Sequence, residues 1–574
     1  MWSRHKTYQR QNMFLVFFVF GLVLVCMFTR LGYLMMFRAD HYGVQAKELH
    51  ERERKIKAER GRILDRNGSL LAGNRSVSTI SVIHSQIKEP EKVITVLSKE
   101  LGLSEETVRK KVEKVSSREK VKSNVDKETS DRIRNCKLAG VTVDEDYKRE
   151  YKYDSLGSKV LGFTGGDNQG IIGLEVTYEK YLKGIDGSIL TMTTAYGTEI
   201  ENGAEDRIEP VAGWTLNTSL DLTIMEYADQ VAATLLKKKK AKSVEIIVMN
   251  PKNGEIYAMT SVPEFNLNDP YTLPEGDTGL TEKQKNEKLN AMWRNGCVSD
   301  TYEPGSTFKI LTTAAALEKG VVKMTDHFHC PGYKVVEDRR IRCHKTTGHG
   351  SETFLEGIMN SCNPVFMEVG ARVGVRGFFE ELSSFAALRK TGIDVPGEAV
   401  TIMHKEKNVG AVELATMSFG QSFQLSPIRL LTCAASIING GKSITPHFGV
   451  SVKSADGNHI KRLSYPQGDT IVSKETSDLV REALGKVVSE GTGKNAGVEG
   501  YHVGAKTGTS QKLPRGNGKY IASTIGFAPV EDPQVIALVR IDEPEGLYYG
   551  GTVAAPGIST LYSNVLPYLL DRKK

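Results

Sequence analysis

From Met13 to Thr29 the chain reads MFLVFFVFGLVLVCMFT without a charge; Arg4, Lys6 and Arg10 precede this run, and the apolar LGYLMMF follows Arg30. A secretory signal would have a shorter apolar core followed by a small-residue cleavage site, and none is visible after Thr29. Residues 13–37 therefore read as a single-span anchor, with Arg30 snorkelling toward the interface. The basic residues before the run put residues 1–12 in the cytoplasm, and everything after about residue 38 is then extracytoplasmic.

At 574 residues the chain is too long for one core, so two or more folded units are expected. Charged residues make up 25%, and the 19 Pro and 55 Gly show no repeat, which excludes collagen-like and disordered classes. A net charge of +7 is mild at this length, and with no aromatic-plus-basic stripe it gives no sign of nucleic-acid binding. Seven cysteines are too few for a disulfide scaffold.

Beyond the anchor, the charged residues 39–60 read as a helical stalk. In RGRILDRNGSLLA, residues 60 to 72, the Asp65-Arg66-Asn67-Gly68 turn joins Ile63-Leu64 to Leu70-Leu71 as a hairpin. Residues 86–135 carry helical periodicity, with a helix start at Ser104. Gly170 and Gly173 precede an amphipathic helix ending at Gly184, with Glu175 in a structural role. Residues 211–240 give a strand, a cap at Thr218 or Ser219 and a long helix whose Lys237 to Lys240 run suits a solvated C-terminal end. From Ser243, VEIIVMNPKNGEIYAMTS gives two strands opening a second domain.

Three segments carry chemistry. In EPGSTFKI, Ser306 and Lys309 lie three residues apart at the start of an apolar helix, on one face. The helix dipole and burial both disfavour charge on such a lysine, so its pKa should fall toward neutrality, and a neutral amine can take a hydroxyl proton. Alone this motif is common. Ser361-Cys362-Asn363 adds a second hydroxyl and an amide. Lys506-Thr507-Gly508-Thr509, on an expected strand, adds a charge and two hydroxyls suited to a carboxylate, with Gly508 leaving room for another backbone.

The order Ser-x-x-Lys, Ser-x-Asn, Lys-Thr-Gly is that of penicillin-binding proteins and serine β-lactamases. With YEPGSTFK, SCN, GQSFQLSP, NGG, GTGKNA, KTGT, RGRILDRNGSLLA and GIIGLE, the chain resembles a class B penicillin-binding protein of the division or sporulation type. The resemblance implies an α+β multidomain chain: cytoplasmic tail 1–12, transmembrane helix 13–37, a mixed β/α dimerisation or pedestal module 38–205, a linker strand and helix 206–242, and an α/β/α transpeptidase domain 243–574 with a central antiparallel sheet.

It further implies a D,D-transpeptidase that cross-links peptidoglycan stem peptides and is inactivated by β-lactam antibiotics. Ser306 would be the acyl acceptor and Lys309 its base. Ser361 and Asn363 would relay protons and align substrate, and Lys506, Thr507, Gly508 and Thr509 would hold the substrate carboxylate. The backbone N–H groups of Ser306 and Thr509 would form the oxyanion hole. A membrane glycan polymerase and divisome or sporulation proteins are the implied partners, with no cofactor.

The alternatives weighed are a scaffold that recruits the polymerase, and a β-lactamase or β-lactam sensor. The small C-terminal repeats of some relatives are not expected after GGTVAAPGISTLYSNVLPYLLDRKK. Cys330 and Cys343 flank an expected hairpin, and Cys362 sits inside the second motif. No Cys-x-x-Cys pair is present, so no metal is expected. Free thiols, or a disulfide Cys343–Cys362 or Cys330–Cys343, stay open; a bridged Cys362 would displace or clamp Ser361 and Asn363.

Overall fold

The computed structural model describes residues 2–42, 51–116, 118–192, 206–274, 276 and 279–571. They fall into two compact units interleaved along the chain, one from 1–59, 76–148 and 185–211, the other from 60–75, 149–184 and 212–574.

In the first unit, the helix Trp2–Phe37 contains an exposed apolar stretch, Asn12–Phe37, long enough to cross a bilayer. The helical-stalk reading fails beyond it. Glu51–Ile56 is a strand paired antiparallel with Gly187–Met192, which in turn pairs with Asp206–Ile208. A partner distant in sequence overrides the local helix preference of Glu, Arg and Lys. Residues 43–50 and the expected boundary at 205 lie outside the described residues.

A small core is built from Val93, Leu97, Val108 and Ile133 on the helices Pro90–Leu101, Glu105–Val112 and Lys127–Asn135. Ser104 caps the second of these as its sequence suggests, accepting from the Thr107 N–H at 3.3 Å. Ser78–Val82 pairs with the strand Glu119–Val125.

The second unit begins with the expected hairpin, in which Ile63-Leu64 pairs with Leu70 and Ala72. Asp65 closes its turn by accepting from the Asn67 and Ser69 N–H groups at 2.8 and 2.7 Å. The Gly170 to Gly184 segment is two short helices, Gly173–Thr177 and Glu179–Leu182, rather than one. Tyr178 leaves helical geometry between them, and its buried hydroxyl donates to Asp394 at 2.5 Å.

Glu175 is structural. One carboxylate oxygen accepts from Arg60 Nε at 2.6 Å and the other from Arg149 Nε at 2.7 Å, and all three residues are buried. The long helix Leu222–Lys239 is capped by Asp221, not by Thr218 or Ser219. Those two hydroxyls are committed to the carbonyls of Leu64 and Ile256.

The centre of this unit is a five-stranded antiparallel sheet in the order Ile256–Val262, Ser243–Met249, Val535–Asp542, Tyr520–Ala528, Gly504–Gln511. Val535–Asp542 is buried at every position, so the sheet is covered on both faces. The helices Leu222–Lys239 and Ala555–Leu570 pack on it, as do Pro427–Ile438 and Lys474–Ser489. The apolar helix Lys309–Glu318 packs on Lys474–Ser489 and Asn363–Ser384, which fixes its first turn beside the last strand of the sheet.

Candidate active site

Ser306 sits in the 3-10 turn Gly305–Phe308, and Lys309 opens the helix that follows, its N–H donating to the Ser306 and Thr307 carbonyls. The two motif residues are thus one tight turn apart. Ser306 faces a cleft of about 460 Å³, also lined by Ser361, Asn363, Thr507, Gly508 and Thr509. The two lysines are 1% and 0% exposed and lie beneath the cleft wall.

Their amines converge on the second motif. Lys309 Nζ donates to Ser361 O at 2.7 Å and to Asn363 Oδ1 at 2.9 Å, and lies 3.3 Å from Ser361 Oγ. Lys506 Nζ donates to Ser361 Oγ at 2.9 Å from the other side. One hydroxyl therefore joins both amines. Ser361 has a φ of +53°, a conformation rare for a residue with a β-carbon and held only by its surroundings. The short helix Phe354–Met359 ends before it, and the helix Asn363–Ser384 starts two residues after it, with Pro364 in its first turn.

Burial pushes the Lys309 amine down to about 8, opposed in part by Cys362, Cys343 and Glu352. Burial, and then repulsion from Lys309, holds Lys506 well below the ordinary lysine range. The Lys309 amine can therefore reach the neutral state near physiological pH.

Gly508 has the role its sequence suggests. A β-carbon there would lie 3.0 Å from Pro304 O and 2.9 Å from Ser523 Oγ, so the absent side chain is what lets the strand lie against the Ser306 turn. The backbones of Gly305 and Thr509 abut as well: a β-carbon on Gly305 would sit 2.8 Å from Thr509 O. Thr509 Oγ1 accepts from the Gly550 N–H at 2.9 Å, tying the strand to the C-terminal helices.

Sequence reasoning did not single out the groups that frame the cleft. Arg515 Nη2 lies 3.0 Å from both oxygens of the buried Glu303, which also accepts from the Ser422 N–H at 2.8 Å. The rings of Tyr520 and Tyr548 stack at 3.8 Å on another wall. Glu303 adjoins the Pro-Gly pair before Ser306 and could have been found from that position; nothing local marks Arg515 or Tyr548.

Residues 244–563 match the family model of the penicillin binding protein transpeptidase domain, and residues 55–218 match that of the penicillin-binding protein dimerisation domain. The chain is 39% identical to stage V sporulation protein D of Bacillus subtilis, over 96% of this chain and 85% of that one. It is 27% identical to a probable peptidoglycan D,D-transpeptidase, PenA, of Neisseria gonorrhoeae, over 96% and 92% of the two chains. The fold matches that of penicillin binding protein 2X from Streptococcus thermophilus with a TM-score of 0.75 at 21% identity, covering 90% of this chain and 80% of that one. With a cleft of this construction and matches spanning most of its length, the chain belongs to the class B penicillin-binding proteins, a family of serine-type transpeptidases.

Proposed function

We propose that this protein is a membrane-anchored D,D-transpeptidase that joins peptidoglycan stem peptides through an ester on Ser306 and is inactivated when a β-lactam acylates the same oxygen. The observation that carries the reading is the pair of buried amines meeting at Ser361 Oγ beneath the cleft that Ser306 faces.

A neutral Lys309 has two hydrogens, and Ser361 O and Asn363 Oδ1 are placed to accept them, which leaves the lone pair for a hydroxyl proton. Ser306 Oγ attacks the carbonyl carbon between the terminal D-alanines and passes its proton to Lys309 Nζ. The proton moves through Ser361 to the departing nitrogen; D-alanine leaves and the ester remains. The amine of a second stem peptide attacks the ester, its proton returns by the same route, and Ser306 is regenerated.

The N–H groups of Ser306 and Thr509, on backbones that abut, bind the developing oxyanion. Thr507 and Thr509, with Lys506 behind them, receive the terminal carboxylate. Gly504–Gln511 is the last strand of its sheet, so an extended stem peptide can add alongside it. In this reading residues 243–574 form the transpeptidase domain, 38–205 the pedestal, and 206–242 the linker. Residues 1–12 are cytoplasmic, the catalytic domain is outside the membrane, and a membrane glycan polymerase of the division or sporulation apparatus is the partner.

The test gives the detergent-solubilised full chain a pentapeptide ending in D-Ala-D-Ala together with a D-amino-acid acceptor. Release of D-alanine and incorporation of the acceptor are expected, and both are lost in Ser306→Ala. Release that survives this substitution overturns the reading.

A further inference from the structure

Beside the second motif, three sulfurs and an imidazole converge. The ligand atoms of Cys330, Cys343, His349 and Cys362 all lie within 4.8 Å of one another, and Cys343 Sγ is 3.8 Å from His349 Nδ1. A tetrahedral zinc site, with Zn–S near 2.3 Å and Zn–N near 2.0 Å, places its ligand atoms about 3.5–3.8 Å apart. The three cysteines are buried and all are free thiols. We propose that these four residues form a closed structural site for a zinc ion that fastens the Ser361-Cys362-Asn363 turn to the neighbouring hairpin.

The absence of a Cys-x-x-Cys spacing, from which no metal was expected, is offset by strand pairing. Cys330 ends the strand His327–Cys330 and faces Gly350 of Gly350–Thr353, which places His349 beside it. The hairpin Tyr333–Val336/Arg339–Arg342 carries Cys343 back, where its N–H donates to Gly332 O at 2.9 Å. Gly348, at φ +85°, lets the two loops touch: a β-carbon there would sit 2.4 Å from Cys330 O. Cys362 completes the set as the residue before the helix Asn363–Ser384. Four ligands from four segments are held by backbone pairing before any ion binds.

Beside the cluster, Glu352 Oε1 is buried and lies 3.8 Å from His349 Nδ1. Three thiolates and an imidazole favour zinc over magnesium or calcium, and four protein ligands leave no position for substrate. The ion therefore acts as a clamp: through Cys362 it fixes the turn that carries Ser361 and Asn363.

The test measures metal in the full-length chain, purified in detergent with its thiols reduced and no chelator present. Zinc is expected at about one per chain, falling below about a tenth in Cys330→Ser/Cys343→Ser and unchanged in Cys26→Ser/Cys136→Ser. Loading with cobalt(II) should give thiolate-to-cobalt charge-transfer bands and the visible bands of a tetrahedral ion. Stripping wild type with a chelator should raise amide exchange across residues 358–366, a readout that does not depend on how the double variant folds. Ser306→Ala should keep its zinc, so the result stands apart from the acyl-transfer reading. The proposal is overturned by a folded wild-type chain that takes up no zinc, by zinc retained in the double variant, or by a Cys343–Cys362 or Cys330–Cys343 disulfide as the state isolated from cells.

Discussion

Arg60 and Lys309 are both long cationic side chains in the same compact unit, each 1% exposed, yet their surroundings are opposite in kind. Arg60 is met by carboxylates: Glu175 at 2.6 Å and Glu179 at 2.7 Å, with Arg149 sharing Glu175. Burial works against its charge, but the two glutamates outweigh burial and raise its pKa above the ordinary arginine value. Lys309 is given neutral acceptors, a carbonyl, an amide oxygen and the Ser361 hydroxyl, and burial wins. The first arrangement holds a proton permanently, whereas the second makes one easy to lose. Burial alone does not distinguish structural from chemical cations; the charge of the acceptor does.

The sharpest way to break this contrast is to replace Lys309. In Lys309→Met the acylation rate by a labelled penicillin should fall about 10⁴-fold or more while the melting temperature changes little. Lys309→Arg should be as inactive, because a guanidinium keeps its proton. Rapid acylation by either variant would mean that the amine is not the base.

The converse substitution is Glu175→Ala, which strands two buried arginines and should cost about 3–5 kcal/mol by denaturant unfolding, with the acylation rate per folded molecule retained.

A pH series sharpens the same point. Since the folded chain releases the Lys309 proton near 8, the acylation rate should drop about tenfold per unit below that midpoint and level off above it. The unfolded chain holds this proton up to the ordinary lysine value of 10.5, so this group's contribution to stability should rise with pH between about 8 and 10.5. Lys506, Cys343, Cys362 and Glu352 are the charged or titratable neighbours to control for.

The smallest expected effect is that of Gly508→Ala, whose β-carbon meets Pro304 O and Ser523 Oγ; a loss of about 1–3 kcal/mol should accompany slower acylation.

The parts of the molecule legible in the sequence are those whose cause is local. The Asp65-Gly68 turn, the Ser104 cap, the strand bearing Lys506 and the helix after Ser306 follow from turn chemistry, capping and apolar pattern. The sequence pattern misleads where a distant partner decides. Glu51–Ile56 is a strand because Gly187–Met192 pairs with it, and Asp221 caps because Leu64 and Ile256 occupy the Thr218 and Ser219 hydroxyls. Within the site, the spacing of Ser306 and Lys309 indicates a shared turn, but the meeting of both amines at Ser361 needs the tertiary fold. Arg515 reaches Glu303 across more than 200 positions, a contact no window of sequence contains.

The most direct test is mass spectrometry of the folded full-length chain after brief exposure to benzylpenicillin at pH 8. A single covalent adduct is expected, carried by the peptide containing Ser306 and absent from Ser306→Ala. An unmodified chain, or an adduct on any other residue, would contradict the account.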